Sequence, residues 1–253
     1  MNASATRSSP VRTSIRVLDE PVAQPEKSAY VRTMFDAIAP RYDLLNTVLS
    51  FGTHRSWRAF AARCTAAGPG DSVLDVCAGT GELGTDLRRR IGQSGLLMSV
   101  DFSLPMLDAG SARFSRTRSG RAQADALNLP FADERFDAAI VAFGLRNVAD
   151  PRAGLAEMTR VVKQGGRVVV LEFSQPRPRW FADLFRMYST TMMPLLGGLI
   201  SGTREAYVYL PESVSRWKSR DELAAMMESA GLVAVRQCDL TMGIACVHVG
   251  TKR

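Results

Sequence analysis

The segment VLDVCAGTGEL at residues 73–83 constrains the fold of this chain more than any other stretch. Its aliphatic start is typical of a buried strand, its small residues indicate a turn, and residues 82–90 continue with a helical pattern. A strand, a glycine turn and a helix in this order bring backbone N–H groups and the positive end of a helix to a ligand. The segment therefore predicts a cofactor-binding turn in an α/β sheet, although a purely structural tight turn is also compatible with it.

The residues of the turn leave two classes of cofactor open. Gly79, Gly81 and Gly84 complete the GxGxxG pattern of dinucleotide sites, and Asp101 lies about twenty residues on. Asp75 favours a different ligand, because an acid buried at the end of a strand is costly unless it faces a cation or several N–H donors. S-adenosylmethionine carries an ammonium and a sulfonium group, whereas the pyrophosphate of NAD would be repelled. We therefore expect S-adenosylmethionine as the cofactor.

The composition is that of one soluble globular domain, with 253 residues of which 46% are hydrophobic and 23% are charged. No apolar run reaches the length of a membrane span, the N-terminus lacks the core of a secretory signal, and the four cysteines have no metal-ligand spacing. We expect a cytoplasmic protein with reduced thiols and no metal. The net charge of +7 indicates an anionic partner, either nucleic acid or a lipid surface, unless it serves solubility alone.

Two parts of the chain precede the first strand. Residues 1–26 are rich in Ser, Thr, Arg and Pro without an apolar period, which predicts a disordered tail before a domain at residues 27–253. Within that domain, residues 27–68 are predicted to form lid helices. We expect Ser28 to cap the first of them and Pro40 to break or kink it.

Three longer motifs are more specific than the glycine turn. The first is YDLLNTVLSFGTHRSW at residues 42–57, and the second is FGLRNV at residues 143–148. The third combines RVVK at residues 160–163, GG at residues 165–166 and LEFS at residues 171–174. Together these motifs resemble the UbiE family, the C-methyltransferases of ubiquinone and menaquinone biosynthesis, and the likeness covers most of the chain.

The resemblance implies the α/β fold of class I S-adenosylmethionine-dependent methyltransferases. This fold is a seven-stranded, mostly parallel, Rossmann-like sheet with helices on both faces and an antiparallel C-terminal strand. Ligands of such sheets bind beyond the carboxyl ends of the strands. The remaining strands are predicted at residues 96–100, 122–124, 136–142 and 166–173, with a closing hairpin at residues 232–239 and 243–251.

Cofactor contacts are expected where the strands end. Asp101 is suited to accept both ribose hydroxyls and Phe102 to lie against the adenine, although Asp101 as a mere helix cap is the alternative. In methyltransferases of this architecture the residue after the third strand reads the adenine amine, a role that transfers to Asp125 and the backbone of Ala126. The predicted cofactor contacts are Asp75, Gly79, Thr80, Gly81, Asp101, Phe102, Asp125, Ala126 and Ala142.

Two side chains are predicted to serve the reaction itself. Arg146 follows the fourth strand and is expected to stabilise a phenolate, unless it only bonds loop carbonyls. His54 is the expected proton acceptor, because histidine titrates nearest neutrality. Tyr42, Asn46 and Asn147 are predicted to contact the substrate. An ordinary amphipathic lid helix with a capped turn is the alternative for the segment that begins at Tyr42.

Residues 174–209 form a longer connection than the sheet requires. Their aromatic and methionine side chains, bordered by arginines, predict a soft apolar surface. The resemblance favours a groove for a polyprenyl tail that rests on an anionic bilayer, whereas a dimer interface or a core helix explains the apolar stripe equally well. The Asp/Asn-Pro-Pro-aromatic motif of methyltransferases that act on nucleic acid bases is missing after the fourth strand, so we expect no nucleic acid partner.

The resemblance predicts C-methylation of a polyprenylated quinol, with demethylmenaquinol as the main substrate. The alternative substrate is the 2-polyprenyl-6-methoxy-1,4-benzoquinol of ubiquinone biosynthesis. The enzyme is expected in the cytoplasm, peripherally bound to the inner face of the cytoplasmic membrane, and a homodimer is a further expectation. A nicotinamide-dependent oxidoreductase and a non-catalytic nucleic-acid-binding protein of the same fold are the remaining alternatives.

Overall fold

The computed structural model of the chain describes residues 24–114, 118–192 and 205–253. Residues 1–23 of the predicted disordered tail lie outside this described part, and so do residues 193–204 of the predicted insertion. Among the described residues, no helix combines the length and the apolarity needed to cross a bilayer.

A seven-stranded sheet lies at the centre of the fold. Its strands are β1 Ser72–Val76, β2 Leu96–Asp101, β3 Ser119–Gln123, β4 Phe136–Ala142, β5 Val162–Phe173, β6 Leu232–Leu240 and β7 Ala245–Lys252. Their order across the sheet is β3-β2-β1-β4-β5-β7-β6. β1 to β5 are parallel, and β7 runs antiparallel to both β5 and β6. The predicted class I methyltransferase fold is thus confirmed.

Helices cover both faces and the carboxyl edge of the sheet. They are α1 Gln24–Ile38, α2 Tyr42–Leu49, α3 Thr53–Cys64, α4 Glu82–Ile91, α5 Leu104–Ala109, α6 Ser111–Phe114, α7 Pro151–Val161, α8 Arg179–Met187, α9 Glu205–Ser215 and α10 Arg220–Ser229. Short 3₁₀ turns occur at Ala39–Arg41, Leu145–Asn147 and Thr241–Gly243, and a π turn follows α8 at Tyr188–Met192.

The sheet buries both of its faces, because successive side chains of a strand point to opposite sides. Leu74 and Val76 of β1 belong to a core cluster that includes apolar residues of α7 and α10. Val73 points to the opposite face of the sheet and belongs to a second cluster with residues of α3 and α4. Because both faces are covered, the central strands are largely apolar in sequence, which is the pattern that predicts buried strands.

The turn after β1 depends on glycines with positive φ. β1 ends at Val76, and the chain passes through Gly79 at φ +56° and Gly81 at φ +74° before α4 begins. A Cβ on Gly81 would lie 2.5 Å from Cζ of Phe114. A larger residue at this position would therefore strain the backbone and displace a buried ring.

Several element boundaries differ from the prediction; β5, for example, begins at Val162 rather than at residue 166. α1 begins at Gln24, inside the tail predicted at residues 1–26, so Ser28 lies within the helix and does not cap it, whereas the helix ends before Pro40 as predicted. β3 begins at Ser119 rather than at residue 122. As an edge strand of largely polar residues, β3 lacks the apolar run that identifies a buried strand in the sequence.

Candidate active site

Two cavities meet at the carboxyl edge of the sheet, where β1, β2 and β4 end. The first, here called the sheet cavity, has a volume of about 760 Å³ including its open part and is lined by residues that follow these strands. The second, here called the lid cavity, has a volume of about 860 Å³ and is lined mainly by α1, α2 and the start of α3. Both cavities share Phe35, Tyr42 and Phe143, so ligands in the two cavities would be direct neighbours.

Most of the predicted cofactor contacts lie around the sheet cavity or beside a small polar space next to it. The sheet cavity is lined by Gly79, Asp101, Phe102, Asp125, Ala126 and Ala142. The polar space has a volume of about 310 Å³ and is bordered by Asp75, Thr80, Arg58 and Glu82. Gly81 lies instead at the start of α4, so its contribution is to the conformation of the turn.

Asp75 is a buried acid that lies just before the glycine turn. It is 1% exposed, and among the described residues its Oδ2 atom has no hydrogen-bond partner. Burial raises the pKa of Asp75 to about 8; Arg58 acts to lower this pKa and Asp101 to raise it. A buried carboxyl with one unbonded oxygen beside the glycine turn is suited to a cationic ligand group, and the ammonium of S-adenosylmethionine fits this requirement.

Asp101 bonds to the backbone of two turns and does not itself cap α5. Its two carboxyl oxygens accept hydrogen bonds from the N–H groups of Gly79 at 2.8 Å and of Ser103 at 2.9 Å. The residue that caps α5 is Ser103, whose hydroxyl accepts from Met106 N–H. Burial raises the pKa of Asp101 to about 6 in spite of these backbone bonds. Each oxygen retains a further lone pair, so Asp101 is still suited to accept ribose hydroxyls.

Asp43 on α2 and Asp36 on α1 accept hydrogen bonds from the turns that follow β1 and β2. The hydroxyl of Thr80 donates to Asp43 on α2 over 2.6 Å, and Arg113 lies 2.8 Å from the other carboxyl oxygen of Asp43. Asp36 on α1 accepts from the hydroxyl of Ser103. The sequence assigned neither acid a role, because a bond between residues far apart in the chain leaves no local pattern.

Arg146 lines the lid cavity, as the prediction of a catalytic role requires, but its charge is already paired. Its Nη1 atom lies 3.0 Å from Oε2 of Glu172 on β5 and donates to the carbonyl of Phe143 over 2.6 Å. The guanidinium also lies over the ring of Phe173, 5.2 Å from its centroid. The sequence reasoning missed Glu172, although an acid within an otherwise apolar strand was a usable signal.

His54 lines the lid cavity together with Ser50. Its Nδ1 atom lies 2.7 Å from Oγ of Ser50, and its Nε2 atom lies 3.4 Å from Oε2 of Glu82. Arg58 pairs with the same carboxyl oxygen of Glu82. Burial acts to raise the pKa of Glu82, but its contact with His54 and the charge of Arg58 outweigh burial, so this pKa lies below its usual value. The structure therefore joins His54 to a charged carboxylate that the sequence did not connect with it.

Two of the three predicted substrate residues line the lid cavity. Tyr42 lines both cavities, and Asn46 lines the lid cavity with an amide nitrogen that has no hydrogen-bond partner among the described residues. Asn147 lines the sheet cavity instead, and its side-chain oxygen accepts from the hydroxyl of Tyr209 over 3.1 Å. Tyr42 and Asn46 thus face the same space as His54 and Arg146.

The chain is similar to known quinone-pathway enzymes over most of its length. The sequence profile of the ubiE/COQ5 methyltransferase family matches residues 23–252. The ubiquinone/menaquinone biosynthesis C-methyltransferase UbiE of Geotalea daltonii is 44% identical over 231 residues, which are 90% of this chain and 98% of that protein. The demethylmenaquinone methyltransferase of Mycolicibacterium vanbaalenii is 45% identical over 222 residues, which are 88% of this chain and 94% of that protein.

Solved structures of lower identity share the fold. The [4+2]-cyclase SpnF aligns with a TM-score of 0.66 at 17% identity and covers 89% of this chain and 96% of its own. A SAM-dependent methyltransferase of Thermotoga maritima aligns with a TM-score of 0.62 at 20% identity and covers 88% of this chain and 99% of its own. At these identities the likeness shows the fold alone.

Proposed function

The chain belongs to the ubiE/COQ5 methyltransferase family, and from this premise we propose that it methylates a ring carbon of a polyprenylated quinol. Demethylmenaquinol is the proposed main substrate, and the 2-polyprenyl-6-methoxy-1,4-benzoquinol of ubiquinone biosynthesis is the second candidate. Relatives at 44% and 45% identity carry names from both pathways, which is why both substrates are kept. A nicotinamide-dependent oxidoreductase and a nucleic-acid-binding protein are less well supported, because neither accounts for the family match.

The observation that carries this proposal is the shared wall between the two cavities. When bound, S-adenosylmethionine supplies an electrophilic methyl group on a positively charged sulfur. Phe35, Tyr42 and Phe143 border both the sheet cavity and the lid cavity. A cofactor in the first and a quinol ring in the second would meet beside these residues, and holding two reactants in line contributes as much as about 7–11 kcal/mol to lowering a barrier.

The lid cavity has the composition that a quinol with a hydrocarbon tail requires. Met34, Ile38 and Leu49 form an apolar side of this cavity, while Arg146 and His54 supply polar groups. Carbon is a weak nucleophile, so the substrate has to be the reduced quinol and has to lose or share a hydroxyl proton. Arg146, held at the cavity wall by its pair with Glu172, stabilises the phenolate that results.

A second part of the proposal is peripheral contact with an anionic membrane through α8. Every residue of α8 is at least partly exposed, and Trp180, Leu184 and Met187 are 65%, 49% and 61% exposed. Their spacing places these three side chains on one stripe of the helix, while Phe181 and Phe185 pack against the core on the other side. An apolar stripe turned towards solvent is the feature expected of a helix that lies in a membrane interface.

The stripe on α8 is connected to the lid cavity. Phe51 is 79% exposed, and its ring lies 5.7 Å from the ring of Tyr188, which directly follows α8. The hydroxyl of Tyr188 donates to the carbonyl of Leu49, a residue that lines the lid cavity. The exposed side chains of Arg179 and Arg186 lie on the same helix and complement anionic headgroups. This continuity offers a polyprenyl tail a route from the bilayer to the cavity.

The quinones of a bacterial host test the proposed function. A host that lacks this chain should accumulate demethylmenaquinone, and expression of the chain should restore menaquinone. Accumulation of a demethylated benzoquinone instead would favour the second substrate. An unchanged quinone profile in a host that has no second enzyme of this kind would contradict the proposal.

A further inference from the structure

The buried polar chain that links Ser50, His54 and Glu82 has the arrangement of a proton relay. The turn between α2 and α3 places Ser50 four residues before His54, so its hydroxyl faces one ring nitrogen at 2.7 Å. The other ring nitrogen faces Glu82 on α4 at 3.4 Å. The side chain of His54 is 4% exposed and that of Glu82 is 13% exposed, which shields the chain of contacts from competing water.

Ser50 has two alternative acceptors for its proton. Its hydroxyl donates to the carbonyl of Asn46 over 2.6 Å, and it lies as close to Nδ1 of His54. The backbone N–H of Ser50 also donates to the Asn46 carbonyl, over 3.0 Å, so that carbonyl remains bonded when the hydroxyl turns away. The hydroxyl can therefore rotate from Asn46 to His54 without leaving a buried group unpaired.

Glu82 is placed to hold a charged imidazole ring. It lies at the N-terminus of α4, where the partial positive charge of the helix end stabilises its carboxylate. The oxygen that faces His54 also forms a salt bridge with Arg58. The contact with Nε2 of His54 falls short of an aligned hydrogen bond. A proton gained by the ring strengthens this contact, because it adds a positive charge beside the carboxylate.

We propose that Ser50 passes the hydroxyl proton of the quinol to His54, which holds it during methyl transfer, with Glu82 as a positioning residue for His54. This inference rests on the proposed C-methylation. Ser50 and His54 both line the lid cavity, where the titratable side chains besides His54 are Tyr42, Arg58, Arg146 and Tyr209. Ser50 is the residue of this lining that is hydrogen-bonded to His54.

The reaction balances with one proton released. The quinol hydroxyl gives its proton through Ser50 to Nδ1 of His54, which leaves a phenolate and an imidazolium ion. The electron pair of the phenolate forms a C=O bond while the ring carbon bonds to the methyl group and the S–CH₃ bond breaks. The ring C–H proton then leaves to water, aromaticity returns, and His54 gives its proton back to the ring oxygen.

The acidity of the substrate provides the test. Ser50→Ala should lower kcat by about 100-fold or more with saturating cofactor, which is the usual size of a proton-transfer contribution, and Glu82→Gln should lower it less. A naphthoquinol with chlorine on its benzenoid ring is a stronger acid, and Ser50→Ala should regain most of the lost rate with it. Thr53→Val is the matched control, because it removes a hydroxyl of the same turn that donates to the backbone carbonyl of Ser50 and does not line the lid cavity.

The outcomes separate the relay from the proposed function. Thermal melting and S-adenosylhomocysteine binding by calorimetry establish that each variant is folded. The relay is overturned if Ser50→Ala keeps the rate of the parent protein, or if its loss is the same with the chlorinated quinol. If the parent protein methylates neither quinol, the proposed function itself has failed, whatever the variants do.

Discussion

Asp75 shows at the scale of one residue how burial changes the ionisation of an acid. It lies near the end of β1, where it is buried away from water, and its Oδ2 atom has no hydrogen-bond partner among the described residues. Burial raises its pKa from an ordinary 3.8 to about 8, so the group is largely neutral at neutral pH until a positive ligand arrives.

This shift predicts a proton release on cofactor binding. A cation beside Asp75 favours the carboxylate, so binding of S-adenosylhomocysteine near pH 7 should release a proton, and affinity should rise between about pH 6 and about pH 8. Calorimetry in two buffers of different ionisation enthalpy measures the number of protons. Asp75→Asn should lose both the release and the pH dependence. Equal proton release by the two proteins would contradict this assignment.

The raised pKa of Asp75 also determines how the free energy of unfolding changes with pH. Native Asp75 keeps its proton up to about pH 8, whereas the unfolded chain loses it near pH 3.8. The native state therefore binds more protons between these values, and this part of its stability is lost as pH rises from about 4 to about 8. Asp75→Asn should flatten the decline in denaturant midpoints over this range; a decline of the same slope in the variant would show that another group causes it.

The pair of Arg146 and Glu172 predicts that stability and turnover respond differently to substitution. Arg146→Met leaves Glu172 buried without its partner and should cost about 3–5 kcal/mol of unfolding free energy. Adding Glu172→Gln should recover most of this stability, because a neutral amide replaces the buried charge. Turnover should stay low in the double variant, because the phenolate still lacks its cation. A double variant with full kcat would reduce Arg146 to a structural role.

At the scale of elements, hydrogen bonds between side chains hold helices α1 and α2 to the turns that follow β2 and β1. Thr80→Val removes the hydrogen bond from the turn after β1 to Asp43 on α2. A hydrogen bond to a charged group contributes about 1.5–3 kcal/mol, so S-adenosylhomocysteine should bind about 10- to 100-fold more weakly and amide exchange in α2 should accelerate. Thr47→Val is the control, since the Thr47 hydroxyl donates to a carbonyl within α2. Unchanged affinity in Thr80→Val would exclude this lid contact from cofactor binding.

The elements also show how far local sequence patterns reach. β1, β2 and β4 were predicted well because buried parallel strands are short apolar runs that end in turns. β3 was misplaced because an edge strand needs no such run. The pairings of the predicted site residues were missed for a different reason: Glu172 and Glu82 approach Arg146 and His54 only in the folded chain, so even the unusual position of Glu172 in an apolar strand does not reveal its partner.

At the scale of the whole molecule, α8 predicts binding to anionic membranes. The double variant Trp180→Ser and Leu184→Ser should lose at least tenfold in affinity for phosphatidylglycerol vesicles in flotation assays, because burying one large apolar side chain contributes about 1.5–3 kcal/mol. Methylation of a short-tailed quinol in solution should be unaffected. Leu104→Ser, at a residue of α5 that is 47% exposed, is the control. Vesicle binding by the double variant equal to that of the parent would contradict this role of α8.

The two-cavity arrangement is tested most directly by locating the transferred methyl group. Purified protein is mixed with methyl-labelled S-adenosylmethionine and demethylmenaquinone, either reduced to the quinol or left oxidised, and the products are analysed by mass spectrometry. We predict label on a ring carbon of the product from the quinol and none from the oxidised quinone. Label on a ring oxygen, or no labelled product from protein that binds S-adenosylhomocysteine, would contradict the account.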